Sequence, residues 1–219
     1  MSMWNVNARI QRLDTRDRRI IAVSDIHANM RYFRGLLEKV NFSERDELII
    51  DGDFLEKGQN SLEMLRFIMK LSERGNCHAV CGNCDTWGDV IGAERRYWDK
   101  RIVQYMLSKH GGLVWDMLTE LGVEITPELD FESLIPELSA HFKPEWDFLT
   151  ALPHVIETPH YIFVHGGIRP DIPIERQRGG DCMKFDDFMD CGFSFDRWVI
   201  VGHWPVMLYL TDHVCANPI

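Results

Sequence analysis

Five short segments of this chain end in side chains that bind metal ions: Asp25-Ile26-His27, Gly52-Asp53, Gly82-Asn83, His165-Gly166-Gly167 and Gly202-His203. They offer three oxygen donors (Asp25, Asp53, Asn83) and three imidazoles (His27, His165, His203). Hard and borderline ligands delivered from separate points of a chain are what a site for two divalent cations requires. Alternate residues of an extended chain point the same way, so Asp25 and His27 can grip one ion. Gly52 lets the backbone turn sharply into Asp53, whose carboxylate can bridge two cations about 3.5–4 Å apart. Asn83, His165 and His203 would complete the second ion. A water or hydroxide shared by both ions would have a strongly lowered pKa and could attack phosphorus in line. Each residue alone has a plainer reading: Asp25 as a helix cap, Gly-Asp as a turn, a single histidine as a structural group. His78, His110, His141, His154, His160 and His213 keep that plainer reading because no such segment surrounds them. The argument lies in the joint occurrence.

Strands must position these groups. Four of the segments directly follow apolar, strand-type runs at 20–23, 48–50, 161–164 and 198–201, and the Gly82 segment follows the shorter run 78–81. The spacing predicts strands at 19–23, 47–50 and 78–81. Between them it predicts helices over 32–40 (Phe33, Leu36, Leu37, Val40) and over 61–74 (Leu62, Leu65, Phe67, Ile68, Leu71), the second capped by Asn60 or Ser61. Alternating strands and helices imply right-handed βαβ units and a largely parallel sheet, with ligands beyond the carboxyl ends of the strands. From 86 to 151 the pattern turns helical. Val90, Ile91, Tyr97, Trp98, Ile102, Val103, Met106 and Leu107 suggest one or two helices closed by Gly111-Gly112. Shorter helices at 113–121 and 145–152 are separated by Pro127, Pro136 and Pro144. This stretch reads as an insertion covering the metal site, or as an ordinary helical layer behind the sheet. Strands return at 155–157 and 161–164, flanking the turn Thr158-Pro159-His160, and again at 198–201 and 206–210.

The 219 residues, 45% of them hydrophobic, suffice for one full-sized core and argue against two independent domains. A net charge of −10 disfavours tight nucleic-acid binding, which needs clustered Lys and Arg. It leaves a phosphorylated substrate open, because bound cations reverse the local sign. Residues 1–19 are polar and unlike a signal peptide, and no run approaches the roughly 18 apolar residues of a membrane span. A cytoplasmic location with no membrane partner is therefore expected, and the six cysteines read as reduced thiols.

Taken together, Asp25-Ile26-His27, Gly52-Asp53-Phe54-Leu55-Glu56-Lys57-Gly58, Gly82-Asn83-Cys84-Asp85, His165 to Asp171 and Gly202-His203 resemble the calcineurin-like metallophosphoesterases. The nearest branch is similar to the bacterial phosphoprotein phosphatase group, which holds serine/threonine phosphatases and symmetrical diadenosine tetraphosphate hydrolases. The last segment supports that branch, since Pro205 stands where the nuclease-like branches carry a second histidine. The resemblance spans about 19–210. It implies a single α/β domain over 1–219: a four-layer sandwich of two facing mixed sheets flanked by helices, with the helical insertion at about 86–151. It also implies two divalent metal ions (Mn²⁺, Fe²⁺/Fe³⁺ or Zn²⁺) on Asp25, His27, Asp53, Asn83, His165 and His203. The substrate would be a phosphorylated small molecule or a phosphoprotein. The family's final strands would lie beyond Ile219, so the second sheet is expected to be short of them.

Three positions depart from that family pattern. Cys84 stands where the family has the histidine that protonates the leaving alcohol. Glu56 and Lys57 stand where it has an aspartate supporting that histidine and an arginine gripping phosphate. Lys57 keeps the charge but loses the bidentate fork. Lys184 is the nearest candidate for a second phosphate-gripping cation, and Arg169 and Asn83 are further substrate-binding candidates. Losing a general acid costs ~10²–10⁴ in rate when the leaving group needs a proton. Cys84 could be a donor or a small filler, and Glu56 a donor if its pKa were raised. Three functions follow: a phosphomonoesterase of the protein-phosphatase kind, a hydrolase of nucleotide anhydrides or diesters, and a metal-binding pseudoenzyme. The run Cys77 to Cys84 also has the CxxxCxxC spacing of iron–sulfur proteins, but as a strand it would send alternate side chains to opposite faces.

Overall fold

In the computed structural model, residues 4, 6–15, 17–87, 100–188 and 195–205 are described. Three strands form one sheet, β2 (Arg19–Val23), β3 (Asp46–Asp51) and β4 (Cys77–Val80), all parallel and in that spatial order. Helices α1 (Met30–Lys39) and α2 (Ser61–Ser72) make the two crossovers. The second sheet runs β1 (Ile10–Arg12), β5 (Val155–Glu157), β6 (Tyr161–Phe163), β7 (Trp198–Ile200). It is mixed, because β5 and β6 pair antiparallel across the turn at Thr158, whose Oγ1 accepts the Tyr161 N–H at 2.9 Å. The pairs β1–β5 and β6–β7 are parallel.

Strand periodicity sorts the side chains into layers. Ile49 and Val80 of the first sheet meet Ile156 and Phe163 of the second in a shared core. The alternate residues Leu48, Ile50, Cys77, Ala79 and Cys81 face outward onto α1 and α2. On the far side, Val155, Ile162 and Val164 pack under Cys182 of α7 (Gly179–Met183), Phe185 and Phe188. The result is the four-layer α/β sandwich. Phe163, buried between the sheets, is a site where truncation to Ala costs about 3–5 kcal/mol.

The helices α3 (Lys100–Lys109), α4 (Leu113–Glu120), α5 (Phe131–His141) and α6 (Lys143–Ala151) share one apolar cluster with α2 and the outer face of β3 and β4. They therefore build the outer layer of the first sheet, while 88–99 lies outside the described residues. Three local expectations change. Pro136 sits inside α5 rather than separating helices, held by buried Phe131, Ile135 and Leu138 on one face. The start of α2 is not capped by its neighbours: Asn60 makes no side-chain cap bond, Ser61 Oγ accepts instead from Glu56 N (3.1 Å), and Asp116 Oδ2 of α4 accepts the Leu62 N–H at 3.1 Å. The polar leader also contains a strand, β1, whose residues Ile10-Gln11-Arg12 make no apolar run. The expected strand at 206–210 lies outside the described residues. The described Cys77, Cys81, Cys84 and Cys182 form no disulfide.

Candidate metal centre

Every segment singled out by sequence leaves the carboxyl end of a strand: Asp25 follows β2, Asp53 β3, Asn83 β4, His165 β6 and His203 β7. Pairing continues past the strand ends and holds the loops together. Asp25 N–H donates to Gly52 O (3.1 Å), His27 N–H to Asp53 O (3.0 Å) and Gly202 N–H to His165 O (3.0 Å). The two sheets are tied here as well, by His203 N–H on Asp25 Oδ2 (3.0 Å) and His165 Nδ1 on the Asp51 carbonyl (2.8 Å). The loops turn through the left-handed region, with φ of +53° at Asp25, +48° at His27, +51° at Asp53 and +67° at His203. Asp and His tolerate this region better than branched residues, yet each costs on the order of 1 kcal/mol or more. Strain gathered on four candidate ligands marks a site over-determined by its surroundings. Gly52 has φ +79°, and a Cβ there would lie 2.7 Å from the His165 ring, so only glycine lets the imidazole come so close.

The donor atoms converge in two groups. Asp53, His165 and His203 place one ligand atom each within 4.8 Å of one another, as do His27, Asp53 and Cys84. Asp53 belongs to both: Oδ1 is 3.3 Å from His165 Nε2, and Oδ2 is 3.9 Å from His27 Nε2. Asp25 Oδ1 joins the second group at 3.6 Å from His27 Nε2. The tautomers suit metal binding. A carbonyl can only accept, so His27 Nδ1, 3.1 Å from Leu55 O, and His165 Nδ1 on Asp51 O must carry the hydrogens. Each ring then turns Nε2 toward the carboxylates. His165 Nε2 and Asn83 Oδ1 are buried with no hydrogen-bond partner, a costly state for polar atoms unless something else binds them. The residues therefore fit a pair of cations.

The electrostatics agree. Burial disfavours the Asp53 charge, but the His165 ring at 3.3 Å and the Cys84 N–H (2.8 Å) hold it well below the usual carboxylate range. Burial opposes a charged His165 too, and contact with Asp53 raises it to about 9. Asp51 differs: burial pushes it up to about 7, and neither of its oxygens has a hydrogen-bond partner.

The remaining candidates separate. Lys57 Nζ lies 2.9 Å from His27 Nε2, on one side of the cluster. Lys184 Nζ and His203 Nε2 share Asp186 Oδ1, at 3.9 and 3.8 Å, on the other. Arg169 is engaged elsewhere, its Nε on Asp181 (2.7 Å) and its guanidinium over the Phe185 ring. Glu56 turns away from the cluster. Its Oε1 accepts from Trp87 Nε1 and Leu113 N, both at 2.8 Å, and Tyr105 also bonds the carboxylate. Cys84 lies inside the cluster, 3.4 Å from Asn83 Nδ2. Cys77 and Cys81 lie under the helical layer, so the three thiols do not converge as an iron–sulfur site needs. One contributor is a residue sequence reasoning left without a role: buried Asp85 accepts from Gly82 N (3.0 Å), Asp53 N (2.7 Å) and Leu55 N (3.1 Å). It locks the second and third segments together. Its place at the end of Gly82-Asn83-Cys84-Asp85, where a short turn leaves backbone N–H groups unpaired, was the available signal.

Comparison with known proteins places the chain in a family. The family model for calcineurin-like phosphoesterases matches residues 18–216. The chain belongs to the calcineurin-like phosphoesterase family. It is 42% identical over 64 residues to a symmetrical bis(5'-nucleosyl)-tetraphosphatase of Glaesserella parasuis, covering 29% of this chain and 23% of that protein. The namesake from Nitrosospira multiformis is 40% identical over 67 residues, covering 30% and 24%. These matches span less than a quarter of the length of those relatives. A crystal structure of a protein provisionally named a diadenosine tetraphosphatase superposes with a TM-score of 0.59 at 21% identity, covering 90% of this chain and 79% of that one. It shows the same fold. Among the described residues no helix is long and apolar enough to cross a membrane.

Proposed function

We propose that this chain is a metal-dependent hydrolase of phosphoanhydrides in small phosphorylated molecules of the nucleotide polyphosphate kind, working with two divalent cations. Asp25, His27 and Asp53 would hold one cation, and Asp53, Asn83, His165 and His203 the other. When bound, such a pair polarises the phosphoryl group and supplies an activated water. The protein's own part is to fix those ligands, through the Nδ1 bonds to Leu55 and Asp51 and the Asp85 clamp, and to offer two ammonium groups to phosphate. Lys57, beside His27, and Lys184, beside Asp186, would meet successive phosphates of a chain.

The observation that carries this reading is how the leaving side of the site is built. A departing alkoxide needs a proton, while a departing phosphate is a weak base and does not. Neither candidate proton donor, Cys84 or Glu56, is well set to protonate a leaving group. Burial and the Asp53 charge push the Cys84 thiol well above its ordinary value; burial also raises the Glu56 carboxyl, but its Oε1 is engaged by Trp87 and Leu113 on the side of the helical layer. The names of the relatives, which point to dinucleoside tetraphosphates, support the same substrate class.

The test compares kcat/KM of the Mn²⁺-loaded protein on a symmetrical dinucleoside tetraphosphate, p-nitrophenyl phosphate and a phosphoserine peptide, with Asp53→Asn as the blank. The expected order puts the anhydride at least ~10²-fold above the phosphoserine peptide. Faster phosphoserine turnover would return the protein-phosphatase reading. Tight metal binding with no turnover of any substrate would make the chain a binding module.

A further inference from the structure

Cys84 stands among the ligand atoms, not beside them. Its Sγ, a ring nitrogen of His27 and an oxygen of Asp53 lie within 4.8 Å of one another. An ion bonded at about 2.0–2.3 Å to nitrogen, oxygen and sulfur draws such atoms to roughly 3.3–3.8 Å apart, so small side-chain movements close the group. The backbone fixes the thiol there: Cys84 N–H donates to Asp53 Oδ1 at 2.8 Å, within a turn that Asp85 clamps at Gly82 N. A second, independent observation is the orientation of Asn83. Its Nδ2 donates to Cys84 Sγ at 3.4 Å, which favours negative charge on sulfur, and its Oδ1 remains buried with no hydrogen-bond partner. One amide thereby serves both halves of the centre, its nitrogen supporting the sulfur and its oxygen presented as a ligand.

We infer that Cys84 is a thiolate ligand of the cation held by Asp25, His27 and Asp53, giving that position a nitrogen–oxygen–sulfur set that prefers Zn²⁺ to Mn²⁺. The inference rests on the two-cation reading above. On coordination the S–H proton passes to solvent and a sulfur lone pair forms the metal bond; no electrons change hands. Burial beside Asp53 disfavours a free thiolate, and a dication reverses that balance, since a coordinating thiol is deprotonated outright. Sulfur adds affinity for Zn²⁺ and Co²⁺ and little for Mn²⁺. The residue that replaces the family's histidine then changes the metal preference and leaves the site without that proton donor.

The test is optical and needs no turnover. Metal-stripped protein is titrated with Co²⁺ while the near-ultraviolet sulfur-to-cobalt charge-transfer band is recorded, and bound cobalt is counted by equilibrium dialysis. The wild type, Cys84→Ser, Cys84→Ala and His165→Ala are compared, with circular dichroism to check folding. The expected result is a band in the wild type that vanishes in both Cys84 variants and persists in His165→Ala, where the other position is disabled. Zn²⁺ affinity of Cys84→Ser should fall by about tenfold or more, with a smaller change for Mn²⁺. Two bound cobalt ions without a band in the wild type would overturn the thiolate ligand and leave the two-cation reading standing. A band that survives in Cys84→Ser would overturn it as well, by placing the sulfur elsewhere. Wild-type protein that binds no pair of ions would overturn the two-cation reading, and this inference with it.

Discussion

Asp53 and Glu56 sit three residues apart on the loop that leaves β3, both buried, and the fold gives them opposite environments. The Asp53 oxygens face the Nε2 atoms of His165 and His27 on two sides. The Glu56 carboxylate is filled by the indole of Trp87, the first N–H of α4 and the Tyr105 hydroxyl. One carboxylate looks toward imidazole nitrogens on two sides. The other looks toward hydrogen-bond donors and ties the loop to the helical layer. A third carboxylate on the same segment, Asp51, meets neither. Residue type did not decide among these three; the partners supplied by distant parts of the chain did.

The sharpest way to break the comparison is Asp53→Asn, which should lower kcat/KM about 10³-fold or more and weaken both cation positions, several kcal/mol of charge stabilisation being lost. Steady-state rates and metal counting check it; near-normal activity would end the bridging role. Next in size is Glu56→Ala. It strands two buried N–H donors and should cost roughly 3 kcal/mol in urea unfolding, while kcat of the folded fraction stays within a few-fold. A kcat loss of ~10²-fold at unchanged stability would instead make Glu56 a proton donor.

Asp51 gives a pH signature. Its folded pKa, about 7 because of burial, lies above the ordinary carboxylate value, so the folded state favours the protonated form. Stability from this group is fully present below about pH 4 and is lost as pH rises toward 7. Asp51→Asn should therefore stabilise the chelator-treated protein at pH 8 by up to roughly 4 kcal/mol and leave it unchanged near pH 4. Equal effects at both pH values would sink this account. The smallest effect is expected for Lys57→Ala, a KM increase of roughly tenfold, about 1.4 kcal/mol, with kcat little changed; Lys57→Arg should restore KM.

Much of the fold could be read from periodicity. The βαβ run from β2 to β4 was legible because its strands are apolar and its helices, rich in Leu and Ile, are long enough to show a period. β1 and α7 were not: β1, Ile-Gln-Arg, lacks the apolar run that marked the equally short β5 to β7, and α7, at five residues, is too short to show a helical period. Pro136 misled because burial of one helix face outweighs one lost backbone hydrogen bond. At the site, the candidate ligands Asp25, His27, Asp53, Asn83, His165 and His203 were legible as residue types at strand ends. Asp85 was visible only once its three N–H partners were in place.

The sequence by itself determined which chemistry this chain can attempt, because the donor types and their attachment to strand ends are local properties. It could not determine which carboxylate faces the imidazoles, which faces hydrogen-bond donors, or that the Cys84 sulfur lies close to His27 and Asp53. Those outcomes depend on His165, Leu113 and Asn83 arriving from other segments at distances near 3 Å. Over so short a range, the partner a group meets decides its charge and its use.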